Sequence, residues 1–452
     1  MRPWMIGAMA LLAGCEVGGL HWDVHRAGDE DGGVALAVGD IAVAPDGSYF
    51  VFERGGALMV GWTATGLVEE LPVQDPGRLA FSGQRSVVYV WTLAGDLMAV
   101  DVDAAAVRWS TATGVAGAVF GGRLEVSADD ARVVVGLGLS VVLVDAADGA
   151  TVAQLALTNT LVDLEILPDD ERMLVVEQHV WPEEVPLPST TVQVVSLADG
   201  AARSFEVPNC ADDVVVPAHG GLGLLAPTRC ERDGEGKDPI SHLDLTPGAE
   251  GFVRNLPGFG PVAMAPGGST AIGFYDASLG DAALFDDPTA MPPAEPRFHL
   301  MVLDTNDLSY RFYPYGSALP RYALTPDGEV LLVDDLVGET AWLFDVDSGA
   351  LRELTGGMPR YDKLAFSGDA SRAWVLSDRR QVPDAEAFGL DYALWDLTIA
   401  TAVAEQVPLP FRPRNLNVSA DDAWLFLRQD EARVCVFEVA EGECQREVGL
   451  RL

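Results

Sequence analysis

The sequence predicts an all-β chain built from one four-stranded unit repeated nine times, and three observations predict it. A first-half pattern recurs from residue 41 to the C-terminus: an apolar alternating strand, a Ser/Pro-Asp/Gly turn, then a strongly apolar strand. A second-half pattern alternates with it: a third strand ending near Asp, a turn, and a fourth strand. The spacing is regular, because residues 41–452 shared among nine repeats give about 46 residues each, close to the ~40–45 of propeller blades. Four short strands per unit, repeated, are the mark of a β-propeller. The expected fold class is therefore all-β, a single β-propeller of four-stranded blades with nine repeats. Eight blades is the fallback count and seven the next, since rings of those sizes are commoner.

The first halves run IAVAPDGSYFVF from 41, RLAFSGQRSVVYV from 78, RLEVSADDARVVV from 123, DLEILPDDERMLVV from 163 and DVVVPAHGGLGLL from 213. They continue as PVAMAPGGSTAIGF from 261, RYALTPDGEVLLV from 321, KLAFSGDASRAWVL from 363 and NLNVSADDAWLFL from 415. The second halves are equally plain, as in VVLVDAADG from 141, LMVLDTNDL from 300 and VCVFEVAEG from 434. Period-two alternation gives half-buried strands, and Asp-Gly or Pro-Asp-Gly supplies the turns. The units resemble the YVTN-type and WD40-like repeats of bacterial propellers over more than 85% of the chain. They lack the Gly-His and Trp-Asp dipeptides of eukaryotic WD40 blades, Trp395-Asp396 being an isolated echo. That resemblance implies a fold shared by unrelated functions and carries little functional weight. Residues 34–38 (VALAV) read as an outer strand that joins the C-terminal blade and closes the ring, removing an exposed edge.

Ahead of the repeats, residues 1–15 read MRPWMIGAMALLAGC. Arg2 precedes a short apolar run (5–13), far below the ~18–20 residues needed to span a bilayer. The run ends in Leu12-Ala13-Gly14-Cys15, which resembles the lipobox of bacterial lipoproteins. The resemblance implies cleavage before Cys15 and a diacylglycerol on its thiol. With Glu16 next, it also implies sorting to an outer membrane, facing the periplasm or the cell surface. On this reading residues 1–14 are a lipoprotein signal peptide, 15–33 a lipidated flexible tether rich in Gly and acid, and 34–452 the propeller. The exported protein then touches membrane only through its lipid anchor.

Composition narrows the partners. The chain carries 68 acidic against 29 basic side chains, a net charge of −39, and all but Lys237 and Lys363 of the basic ones are arginine. Such a field repels phosphate and argues against nucleic acid. Hydrophobic content of 49% argues against a disordered acidic chain. Most carboxylates fall in turns, as in Asp129-Asp130, Asp169-Asp170 and Asp421-Asp422, where they read as serving solubility and turn geometry.

Apart from Cys15 there are four cysteines, an even number that favours disulfides in an exported protein. Cys210 and Cys230 flank the expected hairpin turn at His219-Gly220-Gly221, and Cys435 and Cys444 straddle the last turn, so the strand reading pairs them in that order.

Four repeats carry long excursions between their second and third strands, at 177–191, 227–239, 275–297 and 377–391. In a propeller these loops emerge on one face, so the expected working face is built from them. They hold 16 acidic and six basic residues. Its candidate contacts are Trp181, Glu183, Glu184, Asp276, Asp286, Asp287, Arg379, Arg380 and Phe388. No cofactor is called for; Ca2+ is the one cation its carboxylates would suit, with Asp286-Asp287 the best pair, although no D-x-[DN]-x-[DN]-G loop exists. His179 and His299 are weaker metal candidates, with His242 as a third histidine on a strand of repeat 5. No H-E-x-x-H, G-x-S-x-G or Walker loop is present. The expected function is therefore non-catalytic: an envelope-anchored propeller presenting a face to an envelope protein or small ligand. The alternative is a propeller enzyme of metal-dependent hydrolase or lactonase type, with acidic residues in the central funnel.

Overall fold

In a computed structural model of the chain, the described residues are 34–35, 41–83, 86–115, 122–178, 189–211, 213–227, 239–264, 268–278, 282–285, 287–316, 320–335, 341–355, 363–378, 392–407, 409, 413, 415–419, 421–430 and 433–449. They form antiparallel sheets, with two single-turn 3-10 helices as the only helical elements among them. Repeats 1–4 span 41–74, 76–112, 123–156 and 160–207, and repeats 7–9 span 320–353, 363–407 and 415–449, each contributing four strands paired in sequence order, and the sheet of repeat 2 gains a fifth strand, Val34–Ala35, beside its first. Repeats 5 and 6 are one seven-stranded sheet, because the 14-residue strand Gly251–Met264 is both the fourth strand of one and the first of the other.

Second strands are buried on both faces, which is why they read as continuous apolar runs. In repeat 8, Ala373 and Val375 enter the core shared with repeat 7, while Trp374 and Leu376 enter the core shared with repeat 9. Strand alternation therefore feeds two neighbours at once. Fourth strands are outermost and half wet, as the mostly exposed 106–112 and 151–156 show. Each of nine apolar cores lies between two consecutive repeats, and the ninth joins repeat 9 to repeat 1 through Phe50, Phe52, Phe426 and Val436. At that seam Asn417 Nδ2 donates to the carbonyl of Ile41 at 3.1 Å. Phe50 lies across its strand partner Gly61, where any side chain would collide with the ring.

The closing strand expected at residues 34–38 is corrected. Val34 and Ala35 pair with Leu79 and Arg78 on the first strand of repeat 2. The last repeat already supplies its own fourth strand, Glu443–Gly449, so its outer edge has no vacancy for the N-terminal segment. Residues 36–38 of that stretch lie outside the described residues.

The paired turn aspartates do more than was read from sequence. Asp129, Asp169 and Asp421 accept the backbone N–H two residues on, as expected of turn residues. Asp130, Asp170 and Asp422 adopt positive φ and reach across to the preceding repeat. Their carboxylates accept the N–H groups of Gly83, Ala128 and Gly368 at 2.9, 2.8 and 2.7 Å. The Asp-Asp dipeptide is thus a turn plus an inter-repeat clasp.

Cys435 and Cys444 form a disulfide across the last hairpin, with Cα atoms 5.8 Å apart. Cys210 is buried and disulfide-bonded, while Cys230, its expected partner, lies outside the described residues. Cross-linking two residues nine apart stabilises by about 2–3 kcal/mol in the chain-entropy picture. Cys444→Ser should therefore lower the urea midpoint, and protease sensitivity should rise first in the C-terminal hairpin; an unchanged midpoint would mean the bridge adds nothing to stability.

Candidate functional site

All four insertions join second to third strands. They leave from Gln178, Ala226, Asp276 and Asp378 and return at Thr190, Pro239, Phe298 and Tyr392. Antiparallel order places these loops at one end of the sheets and the turns between strands one and two, or three and four, at the other. Of the expected face residues, Trp181, Glu183, Glu184, Asp286, Arg379, Arg380 and Phe388 lie outside the described residues, as do Cys15 and His179. Glu177, at the mouth of the repeat 4 insertion, is fully buried and accepts the N–H groups of Thr158 and Asn159 at 2.8 and 2.7 Å. It therefore holds the link between repeats 3 and 4 and takes no part in a surface.

The repeat 6 insertion is described for most of its length and folds into a ledge. Its base is clamped by Asp276, which accepts Arg297 Nη2 at 2.7 Å and Nε at 3.0 Å, together with the Ser278 N–H and hydroxyl. Burial alone would raise the Asp276 pKa; the hydrogen bonds from Arg297 and Ser278 outweigh it and hold the carboxyl below the usual range. The Arg297 guanidinium also sits 4.8 Å over the Phe298 ring. Two 3-10 turns follow, Ala282–Leu284 and Pro288–Ala290. Asp287 caps the second by accepting the Thr289 hydroxyl and N–H at 2.7 and 2.9 Å, which lower its pKa. Asp276 and Asp287 thus hold the loop's own shape, and no group of three or more metal-ligating side chains occurs among the described residues.

Behind the ledge the outer strands of repeat 6 carry an aromatic wall. The fourth strand Tyr310–Gly316 reads YRFYPYG, so Tyr310, Phe312 and Pro314 share one face. His299 stands on the same face, directly opposite Pro314. Phe285 of the ledge packs against them, its ring 5.8 Å from Phe312, 6.2 Å from Tyr310 and 5.6 Å from Tyr275. Between ledge and wall lies a cavity of about 260 Å3, lined by Ala290, Pro292, Pro293, His299, Tyr310, Phe312 and Pro314. His299 is 1% exposed, and neither ring nitrogen has a hydrogen-bond partner among the described residues. Burial pushes its pKa down, so the ring is neutral near pH 7.

His299, expected as a weak metal candidate, is thus placed in an apolar cavity. His242 sits half-buried on the third strand of repeat 5, opposite Leu224 and Arg254. Sequence reading missed Tyr310, Phe312 and Pro314. The available signal was a fourth strand with four aromatics in seven residues, where other fourth strands such as VEELPVQ or VAEQV are polar.

A second cavity of about 330 Å3 opens on the opposite face between repeats 6 and 7, lined by Asp304, Arg311, Asp327, Glu329 and Asp347 among others. Although larger, it is polar, and two of its carboxylates, Asp304 and Asp327, are engaged in turns. Asp304 accepts the Asn306 N–H, and Asp327 the Thr325 hydroxyl and Glu329 N–H.

The first strands of repeats 3 and 4, each the inner edge of its sheet, carry charges that bind repeats together. Asp163 accepts Arg123 Nε at 2.8 Å from repeat 3 and the Val214 N–H at 2.9 Å from repeat 5. Glu125 accepts the Ile166 N–H at 2.8 Å, and Arg123 Nη2 donates to the Val162 carbonyl at 3.0 Å.

No family model matches the chain, and no curated protein matches it in sequence. Among solved structures it is similar to a eukaryotic initiation factor, at TM-score 0.55 and 14% identity over 85% of this chain and 90% of that one. It is also similar to the dihydro-heme d1 dehydrogenase NirN in complex with DHE, at TM-score 0.53 and 13% identity over 90% of this chain and 74% of that one. A weaker likeness, at TM-score 0.38 and 11% identity over 66% of this chain and 91% of the other, is to the β-propeller domain of Myceliophteria thermophila Cps50 (Swd1). At such identities likeness speaks to fold alone. The chain is a β-propeller of antiparallel sheets, most of them four-stranded.

Proposed function

We propose that this chain is an exported, lipid-anchored β-propeller that presents its second-to-third strand loop face to a protein or small ligand of the cell envelope. The observation that carries the reading is the placement of all four insertions at that one connection, with the repeat 6 insertion folded as an ordered ledge over an aromatic wall. Rigid scaffolds with long loops on one end are a common way to build recognition surfaces. Three exposed apolar side chains also belong to second-to-third connections: Leu93 and Leu139 in short turns and Met291 in the ledge. The anchor rests on the Leu12-Ala13-Gly14-Cys15 motif, and no helix among the described residues is long and apolar enough to cross a membrane.

The hydrolase alternative draws on carboxylates of the innermost strands. Glu125 and Asp163 already accept backbone N–H groups of the neighbouring repeat, so no observation favours that reading.

Cys15→Ala should move the protein from the membrane fraction to the soluble one, and its persistence in membranes would refute the anchor. Replacing residues 279–294 by a short Asn-Gly turn should lower the unfolding midpoint, because Phe285 leaves its packing against Tyr275, Tyr310 and Phe312, and should remove envelope components that co-purify with the still folded parent chain. Identical co-purification from the shortened protein would sink the loop-face reading.

A further inference from the structure

We infer that the N-terminal segment threads the central opening of the propeller and leaves it at the end opposite the four insertions. A lipid anchor on that segment then draws the turn end toward the membrane and leaves the insertion face pointing away, open to a partner in the aqueous envelope space. The threading rests on strand pairing alone; only its meaning for a membrane rests on the proposed anchor.

First strands lie at the middle of the molecule. Pro76–Phe81, Arg123–Val126, Thr160–Ile166 and Asp213–Val215 each contact the next in that order, as do Lys363–Phe366, Asn415–Val418 and Ile41–Val43. Fourth strands are the wet outer ones. A strand added beside a first strand, on the side away from the second, therefore lies toward the axis. Val34–Ala35 is added there, with Pro76–Phe81 between it and Val87–Thr92. Strand addition of this kind covers backbone N–H and C=O groups that an edge leaves unpaired.

Polarity fixes the exit. The pairing is antiparallel, Val34 opposite Leu79 and Ala35 opposite Arg78. Pro76–Phe81 starts at the insertion end and runs toward the turn that precedes Val87. Going back from Ala35 to Val34 thus moves toward the turn end, and the residues before Val34 continue that way. The forward direction agrees, because Ile41 opens the first strand of repeat 1 at the insertion end.

The turn end is poorly suited to hold lipid. Hydrogen bonds from turn hydroxyl and N–H groups keep the carboxyls of Asp129, Asp244, Asp345 and Asp369 below their usual range, so they stay ionised. Carboxylates and anionic lipid repel one another, so the propeller stands off on its tether. A flexible tether of residues 15–33 would reach about 25 Å.

Two distances measured on the purified full chain decide the threading. A spin label on Glu30→Cys is paired with one on Asp148→Cys or on Leu139→Cys, exposed positions at opposite ends of the strand Ser140–Asp145. The distance to position 148 should be shorter than that to 139 by roughly 10 Å. Equal distances, or a shorter one to 139, would overturn the inference. On mild oxidation Ala35→Cys/Arg78→Cys should form a disulfide, whereas Ala35→Cys/Glu447→Cys, on the outer strand of repeat 9, should stay reduced; the reverse would overturn it too. Should Arg78→Cys fail to fold, the distances still decide. The anchored chain is then placed on vesicles of phosphatidylethanolamine and phosphatidylglycerol that carry a headgroup acceptor. Energy transfer should be about twofold or more greater from a donor on Asp148→Cys than on Leu139→Cys, and the opposite order would overturn the orientation. A chain that does not associate with the vesicles refutes the anchor and leaves the distances to judge the threading.

Discussion

Phe426→Ala is expected to lower the free energy of unfolding by about 3–5 kcal/mol. Its ring is fully buried in the core that joins the last repeat to the first, 5.4 Å from the ring of Phe50. Truncation removes apolar contacts and leaves a void that the surrounding strands cannot fill, because Phe50 is already pinned against Gly61 and Phe52. The site also has a topological consequence. Repeats 1 and 9 stay side by side through this core and the Asn417–Ile41 hydrogen bond. Weakening that seam should expose the strands of 41–62 and 424–438 to amide exchange before the rest of the chain. Urea unfolding gives the magnitude and hydrogen exchange gives the location. Leu139→Ala, at a side chain 57% exposed, should stay within ~0.5 kcal/mol and serves as the control. A Phe426→Ala loss no larger than the control's would mean that the two ends do not depend on each other.

Asp163→Ala carries the second-largest expected effect, a loss of about 3 kcal/mol. The substitution removes acceptors from Arg123 Nε and from the Val214 N–H, so three successive repeats lose a shared group. The carboxylate side chain is 11% exposed and that of Arg123 31%, so removing the acid strands a largely desolvated cation. Asp163→Asn keeps an acceptor oxygen and should cost less. A double-mutant cycle with Arg123→Met should show a coupling of about 1–3 kcal/mol. A rise in stability on Asp163→Ala would instead mean that desolvating the carboxylate costs more than its bonds to repeats 3 and 5 return.

Much of the fold was legible because its causes are local. Alternation of apolar residues marks strands, and Pro-Asp-Gly or Asp-Asp marks turns, within a few residues of chain. The doubly apolar second strands, such as RVVVGL and RAWVLSD, announced burial on both sides. The insertions were placed at the right connection by counting strands, and Cys435–Cys444 followed from the hairpin they straddle. What failed depended on which repeat lies next to which. Residues 34–38 looked like a closing strand because an edge seemed to need one, but the C-terminal strand fills that place and Val34–Ala35 goes to repeat 2.

The same division holds for the candidate site. The sequence by itself determined the repeated sheets, the turn chemistry, the acidic surface and the end of the molecule on which the long loops stand. Only the tertiary structure decided that Asp130, Asp170 and Asp422 reach the preceding repeat, that Asp276 and Asp287 are consumed by their own loop, and that His299 is buried beside an aromatic wall with no hydrogen-bond partner among the described residues. The physical reason is range. Backbone periodicity is set by neighbours one to four residues away, whereas a side chain's hydrogen-bond partners are set by packing between elements distant in sequence.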